Sequence, residues 1–462
     1  MSKLAEYEQL IAGRMVTAPR RGMLTVPPLN PAMFGYQSDV TRFLLEAGNG
    51  AAFLDTGLGK SLIAQDWARV VSEHTGMPVL MCAPLAVGAQ HVREAAKFGI
   101  EARQVRHQGE VQPGINITNY EMLHHFDKQA FAGVVCDESS IMKSFTGQTT
   151  RQLMQFGDGM PFRLACTATP APNDHIELGQ HAQFLGVMDS GEMLTRWFIT
   201  DQGEARNLRL KRYGRKDFWA WVCSWARCLS RPSDLGYSDE GFHLPELKIH
   251  HHTVNVDIAD DCGDMLFRIP DTSATQIHKE KRLTCGARAD CIAGLVSAEP
   301  NEPWIIWCDT DYEADALRAR IPGAIEVRGS MPAEEKEARL VAFSTGNAQW
   351  LITKPRIAGF GLNWQHCARA AFVGLSFSYE QFYQALRRCW RFGQLREVHC
   401  HIAMAATEDA VWQAVRRKQL EHEYMKAEML AAMREGQVHL PSMTLLRGTE
   451  PIQFPSWIRG EN

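Results

Sequence analysis

The 462-residue sequence has no uninterrupted apolar run approaching a membrane span, which needs about 20 apolar residues. Its start, Met-Ser-Lys-Leu-Ala-Glu, lacks the apolar core of a secretory leader. A cytoplasmic protein with no membrane partner is expected. The twelve cysteines are scattered singly, without a Cys-x-x-Cys pair or a regular Cys/His spacing. That argues against a zinc ribbon and against a disulfide framework. The run His250-His251-His252 alternates into Val254 and Val256 like an exposed strand start. With no complementary ligand cluster visible, neither zinc nor another metal is expected there. Positive charge is not in excess either: the formal net charge is −4. Any nucleic-acid binding must therefore use a local basic surface.

What is present begins with Asp55-Thr56-Gly57-Leu58-Gly59-Lys60-Ser61, between the apolar run Ala51–Leu54 and the helical pattern from Leu62 to Ala68. A strand running through a glycine turn into a helix gathers backbone N–H groups and a helix N-terminus around one point. That geometry suits phosphates. Lys60 would reach the β- and γ-phosphates, and the Ser61 hydroxyl would join a magnesium shell. The general phosphate-loop pattern has one more glycine, at the position of Leu54.

Downstream, Phe131–Cys136 reads as a buried strand delivering Asp137-Glu138 at its C-terminal end, where open α/β sheets bind ligands. Asp137 can hold magnesium directly or through water. Glu138 can orient an attacking water and accept its proton.

Strand-like runs at Ala51–Leu54, Pro78–Cys82, Ile115–Thr118, Val134–Cys136 and Phe162–Cys166 alternate with helix-length segments. This predicts a parallel sheet with helices on both faces. A second series, at Trp304–Cys308, Ala324–Val327, Trp350–Thr353, Ala370–Val373 and Val398–Ile402, lacks a phosphate loop of its own. Two α/β domains sharing one loop imply a site across a cleft. Between them Arg206, Arg209, Lys211, Arg212, Arg215 and Lys216 precede Phe218, Trp219, Trp221 and Trp225. Such a segment either follows a nucleic-acid backbone or packs its tryptophans into a core. The tail after Gln419 is helical in pattern to Gly436 and carries no recognisable chemistry.

From residue 34 to about 415 the order of segments resembles a superfamily 2 helicase, most closely the Swi/Snf branch in its compact phage or prophage form. Phe34-Gly35-Tyr36-Gln37 resembles the adenine-reading motif, with Gln37 on the base. Gly57-Leu58-Gly59-Lys60-Ser61 resembles the family's phosphate loop, which implies nucleotide contacts from Thr56 to Ser61. Cys82-Ala83-Pro84-Leu85 and Thr118-Asn119-Tyr120-Glu121 resemble its DNA-contact segments, which implies Pro84, Asn119 and Tyr120 near DNA. Asp137-Glu138-Ser139-Ser140 takes the place of the acidic box. Thr167-Ala168-Thr169-Pro170 resembles the coupling motif, through Thr167 and Thr169. Arg328-Gly329-Ser330 is similar to the glycine turn after an early strand of the second domain, placing Gly329 near the track. Ala358–Asn363 resembles motif V, with Gly361 close to a phosphate. Gln384–Gln394 resembles motif VI, with Arg388 and Arg391 as arginine fingers. Planar guanidinium groups suit the charge that develops on a γ-phosphoryl group. Arg387 replaces the acidic residue usual before the first finger.

The resemblance implies two tandem RecA-like α/β domains with parallel sheets flanked by helices, over residues 1–245 and 246–420. It places a basic, tryptophan-rich insertion or linker at about 175–245 and an extension at 421–462. ATP and Mg2+ are the implied cofactors and DNA the implied partner, duplex or branched by preference, single-stranded as an alternative. Residues Arg212, Arg215 and Lys216 are expected on the DNA. The implied function is an ATP-dependent DNA motor. A strand-separating helicase and a nucleotide-dependent binding protein without motor activity are the alternatives.

Overall fold

The computed structural model describes residues 16–84, 87–200, 208–254, 274–358, 363–405 and 408–438. The continuous apolar runs form strands buried on both faces, as parallel sheets covered by helices require. The first sheet holds β1 (Asn49–Leu54), β2 (Val79–Ala83), β3 (Ala102–Gln104), β4 (Ile115–Asn119), β5 (Gly133–Asp137) and β6 (Phe162–Thr167). A small antiparallel pair, β7 (Phe198–Thr200) and β8 (Leu208–Leu210), precedes β9 (Ala226–Leu229), which closes the first sheet in the order β3-β4-β2-β5-β6-β1-β9. The second sheet holds β10 (Leu247–Val254), β11 (Trp304–Trp307), β12 (Ile325–Val327), β13 (Trp350–Thr353), β14 (Arg369–Phe372) and β15 (Val398–Ala405). Its order is β10-β15-β14-β11-β13-β12. Every pairing in both large sheets is parallel.

The fold class is therefore the expected one, and each of the ten anticipated strand runs is a strand. The elements that frame the site are helices α1 (Gly35–Ala47), α2 (Lys60–Thr75), α3 (Gly88–Lys97), α4 (Arg215–Trp225), α5 (Cys285–Ala298), α6 (Tyr379–Leu386) and α7 (Asp409–Val438). Among the described residues no helix is long and apolar enough to cross a membrane, and the described cysteines are free thiols.

Two features of the fold bear on the domain bounds. The basic, tryptophan-rich segment is integral to the first lobe: β9 pairs with β1 along Ala51↔Ala226 to Leu54↔Leu229, and Phe218, Trp219, Trp221 and Trp225 are buried in that lobe's core. Large apolar rings gain more from burial than from an exposed platform, so these aromatics offer no stacking surface. The boundary placed at residue 421 falls inside α7, a single 30-residue helix. Val411 and Val415 of α7 pack in the second lobe, while Met425, Met429 and Met433 pack in the first.

Candidate nucleotide site between the two lobes

In parallel sheets the loops after the strands' C-terminal ends gather along one edge. β1 ends there in the phosphate-loop sequence. Gly57 has φ 96° and Gly59 φ 76°, a region that glycine enters without steric cost. A Cβ on Gly57 would meet the Phe392 ring at 2.8 Å, and one on Gly59 would meet the Gln37 amide at 2.1 Å. Gly59 starts α2, and Lys60 and Ser61 in its first turn face a cavity of about 320 Å3. Lys60 Nζ donates to the Leu54 carbonyl at 2.8 Å and the Asp55 carbonyl at 3.3 Å. The position that departs from the phosphate-loop pattern is thus the end of a strand whose carbonyl holds the lysine. Burial lowers the Lys60 pKa, while Glu138, Asp137 and Asp55 favour its charge.

β5 delivers Asp137 and Glu138 to the same cavity. Asp137 Oδ2 lies 2.9 Å from His91 Nε2 on α3. Burial works against a charged His91, yet Asp137 and this hydrogen bond hold its pKa above the usual value. Among the described residues Glu138 is the non-glycine residue at positive φ, with φ 56° and ψ 53°. Its Oε2 accepts from Thr167 Oγ1 at 3.4 Å and from Gln384 Nε2 at 3.3 Å. Burial and the neighbouring Asp137 raise the Glu138 pKa, against the pull of Lys60, Arg388 and the Gln384 hydrogen bond. Thr167 Oγ1 also accepts from the Thr169 N–H at 3.1 Å, so β6 reaches Glu138 through one hydroxyl.

The second lobe completes the wall. From α6 and the turn after it, Tyr383 donates to Asp55 Oδ1 at 3.3 Å and Arg387 Nη2 to the Thr56 carbonyl at 2.8 Å. The residue that departs from motif VI therefore clasps the phosphate loop. Arg388 and Arg391 line the cavity. Burial lowers the Arg388 pKa to about 10, against Glu138. Burial, with Arg388 and Arg387 beside it, lowers that of Arg391 to about 9. Arg391 Nε is buried without a hydrogen-bond partner. Buried cations clustered around an orphan donor call for an anion of several oxygens.

Lys60, Ser61, Asp137, Glu138, Arg388 and Arg391 are thus brought together, with Thr56, Gly57 and Gly59; Leu58 is buried behind them. Gln37 also reaches the cavity, but its amide is engaged. Oε1 accepts the Phe34 N–H at 3.0 Å, and Nε2 donates to the Leu58 carbonyl at 3.1 Å. These bonds brace the phosphate loop. Tyr120 is buried and donates to the Asp137 carbonyl. Asn119 Oδ1 accepts the Met122 N–H at 3.1 Å. Pro84 is half-buried after β2, and Gly329 is exposed, away from the cavity lining. Gly361 lies outside the described residues. Arg212 is exposed; Arg215 sits over the Tyr424 ring, and Lys216 pairs with Glu435, both on α7.

The sequence analysis assigns no role to Asp55, His91, Tyr383, Gln384 or Lys426. Lys426 of α7 holds Asp55 with contacts of 2.6 and 2.7 Å. Burial opposes ionisation of Asp55, but Lys426 and Arg387 keep its pKa below the usual carboxylate range. β15 sets His399 and His401 beside the histidine run, neighbours that the local sequence does not reveal.

Residues 287–393 match the family model of the helicase conserved C-terminal domain. The match takes in Gln384, Arg387, Arg388 and Arg391. No curated protein matches the chain. Among solved structures, the Sulfolobus solfataricus SWI2/SNF2 ATPase core in complex with dsDNA has 15% sequence identity and a TM-score of 0.41. The alignment covers 89% of this chain and 96% of that one.

Proposed function

We propose that the chain is an ATP-dependent DNA motor whose nucleotide site is completed by closure of two lobes. The observation that supports it most is the convergence, on one cavity, of Lys60 and Ser61 from the first lobe with Arg388 and Arg391 from the second, around Glu138. A nucleotide triphosphate supplies the anion that this charge balance lacks. Lys60 and the loop's N–H groups would hold the β- and γ-phosphates. Ser61 and Asp137 would hold a magnesium ion, which when bound neutralises charge between the two phosphates.

Glu138 takes the proton of the attacking water as the bond from the γ-phosphorus to the bridging oxygen breaks and ADP leaves. Arg388 and Arg391 stabilise the charge spread over the γ-phosphoryl oxygens. Thr167 and Gln384 both hold Glu138, so a shift of β6 or α6 reaches the base directly. That is the route by which a track gripped through its phosphates would be coupled to hydrolysis. The resemblance of Gln384–Gln394 to the Swi/Snf form of motif VI favours translocation on duplex DNA over strand separation.

The paired variants Lys60→Ala and Arg391→Ala test this reading. Lys60→Ala is expected to weaken nucleotide binding. Arg391→Ala should keep near-normal affinity while turnover falls by about 10³-fold or more. Near wild-type turnover in Arg391→Ala would remove the arginine from the chemistry.

A further inference from the structure

Far along the chain from the phosphate loop, two strands carry an unusual density of one side chain. β10 and β15 run parallel with His250 opposite His401 and Lys248 opposite His399. Residues two apart share a sheet face, so His250, His252, His399 and His401 all stand on one side. His250 Nε2 lies 3.0 Å from His399 Nδ1, and His252 Nε2 lies 3.0 Å from His401 Nδ1. The His250 and His401 rings stack with centroids 4.6 Å apart. A solvated strand face has no need of four imidazoles. Each short N···N contact also requires one nitrogen to present a lone pair, which is the form that binds metal.

We propose that His250, His399 and His401 form a zinc-binding site that fastens the edge strand β10 to β15. One ring nitrogen of each lies within 4.8 Å of those of the other two. Ligands about 2.0–2.1 Å from a tetrahedral ion stand roughly 3.3 Å apart, a small opening from the 3.0 Å contact between His250 and His399. His401 Nδ1 is in hydrogen-bond contact with His252, and its ring, stacked on that of His250, must turn for both in-plane lone pairs to meet one ion. The outer shell is in place: Glu397 Oε1 lies 2.8 Å from His399 Nε2. It fixes the proton there and leaves Nδ1 to face the other two rings, the arrangement that orients metal-bound histidines. The flanking cations are neutralised, Lys248 by Glu397 at 2.8 Å and Arg369 by Glu299 at 2.6 Å. Imidazole donors select zinc or a neighbouring transition ion over the oxygen-seeking magnesium and calcium. The fourth position is left to water. Because among the described residues β10 pairs only with β15 in its sheet, an ion joining them stabilises the strand through which the second sheet begins.

The test is calorimetric titration of ZnCl2 into the untagged, chelator-stripped full chain, with excess Mg2+ present to occupy the phosphate-loop carboxylates. One zinc per chain is expected, with a rise in melting temperature. Binding should weaken at least about tenfold in His399→Ala and His401→Ala, and about 10–100-fold in Glu397→Gln. His251→Ala, whose ring packs against Trp412, should bind as the wild type does. Absence of zinc binding, or equal binding in His399→Ala, His401→Ala and Glu397→Gln, overturns the proposal. Glu397 is solvent-facing, so its variant reads the site even if a histidine variant fails to fold.

Discussion

Glu138 combines a left-handed backbone at φ 56° with burial. Holding a glutamate there costs on the order of 1 kcal/mol. Its carboxylate meets Thr167 and Gln384, the groups that bond it. Its raised pKa follows first from burial and then from Asp137. Protonation therefore silences the base at a higher pH than for a free glutamate, near 4.3. The acid limb of ATP turnover is expected above that value. Gln384 stabilises the charged form, so Gln384→Leu should move the limb further up, measured as kcat against pH. A limb unmoved by the substitution would detach Gln384 from the base. Glu138→Gln should retain nucleotide and lose about 10²–10⁴-fold in turnover.

At the scale of elements, α7 matters most. A helix of 30 residues spans about 45 Å, enough to leave β15, pack in the second lobe and cross to the first. The methionines spaced four apart hold it there, each buried side chain contributing about 1.5–3 kcal/mol. The Lys426–Asp55 pair adds direction more than stability, since desolvation offsets most of its attraction. Breaking it from one side is another matter. Lys426→Ala should cost about 3 kcal/mol in denaturant unfolding, the low end for a buried pair, because Arg387 and Tyr383 still face Asp55. The double variant Asp55→Asn, Lys426→Met should recover much of that loss; simple additivity would contradict the pairing. The folded pKa of Asp55 is lowered. Its contribution is therefore present above the unfolded value near 3.9 and lost as pH falls through the folded one. Below about pH 4 the wild type should begin to lose stability relative to the double variant, most steeply through the lowered pKa of Asp55, because protonation leaves Lys426 buried without its partner.

Across the whole molecule, what could be read from the sequence was local. Apolar runs reported the parallel strands because burial on both faces leaves no polar alternation to confuse them. Lys60, Asp137 and Glu138 were legible because strand, turn and helix are contiguous around them. The Asp55–Lys426 contact spans 371 residues and the His250–His399 contact 149, and neither has a local signature. The edge strands β3 and β9 were missed because an arginine interrupts each apolar run, and the basic, aromatic α4 was ambiguous because exposed charges in its first turn adjoin rings that are buried. The bonds from Gln37 and Tyr120 to the Leu58 and Asp137 carbonyls likewise join separate segments and leave no local mark. The proposed activity is ATP turnover by this cleft in response to a DNA track. It is tested most directly by steady-state ATP turnover with no nucleic acid, single-stranded DNA, plain duplex, forked DNA and RNA at matched nucleotide concentration. Strong stimulation by plain duplex, abolished in Arg391→Ala, is the expected result; turnover indifferent to every nucleic acid would contradict a motor.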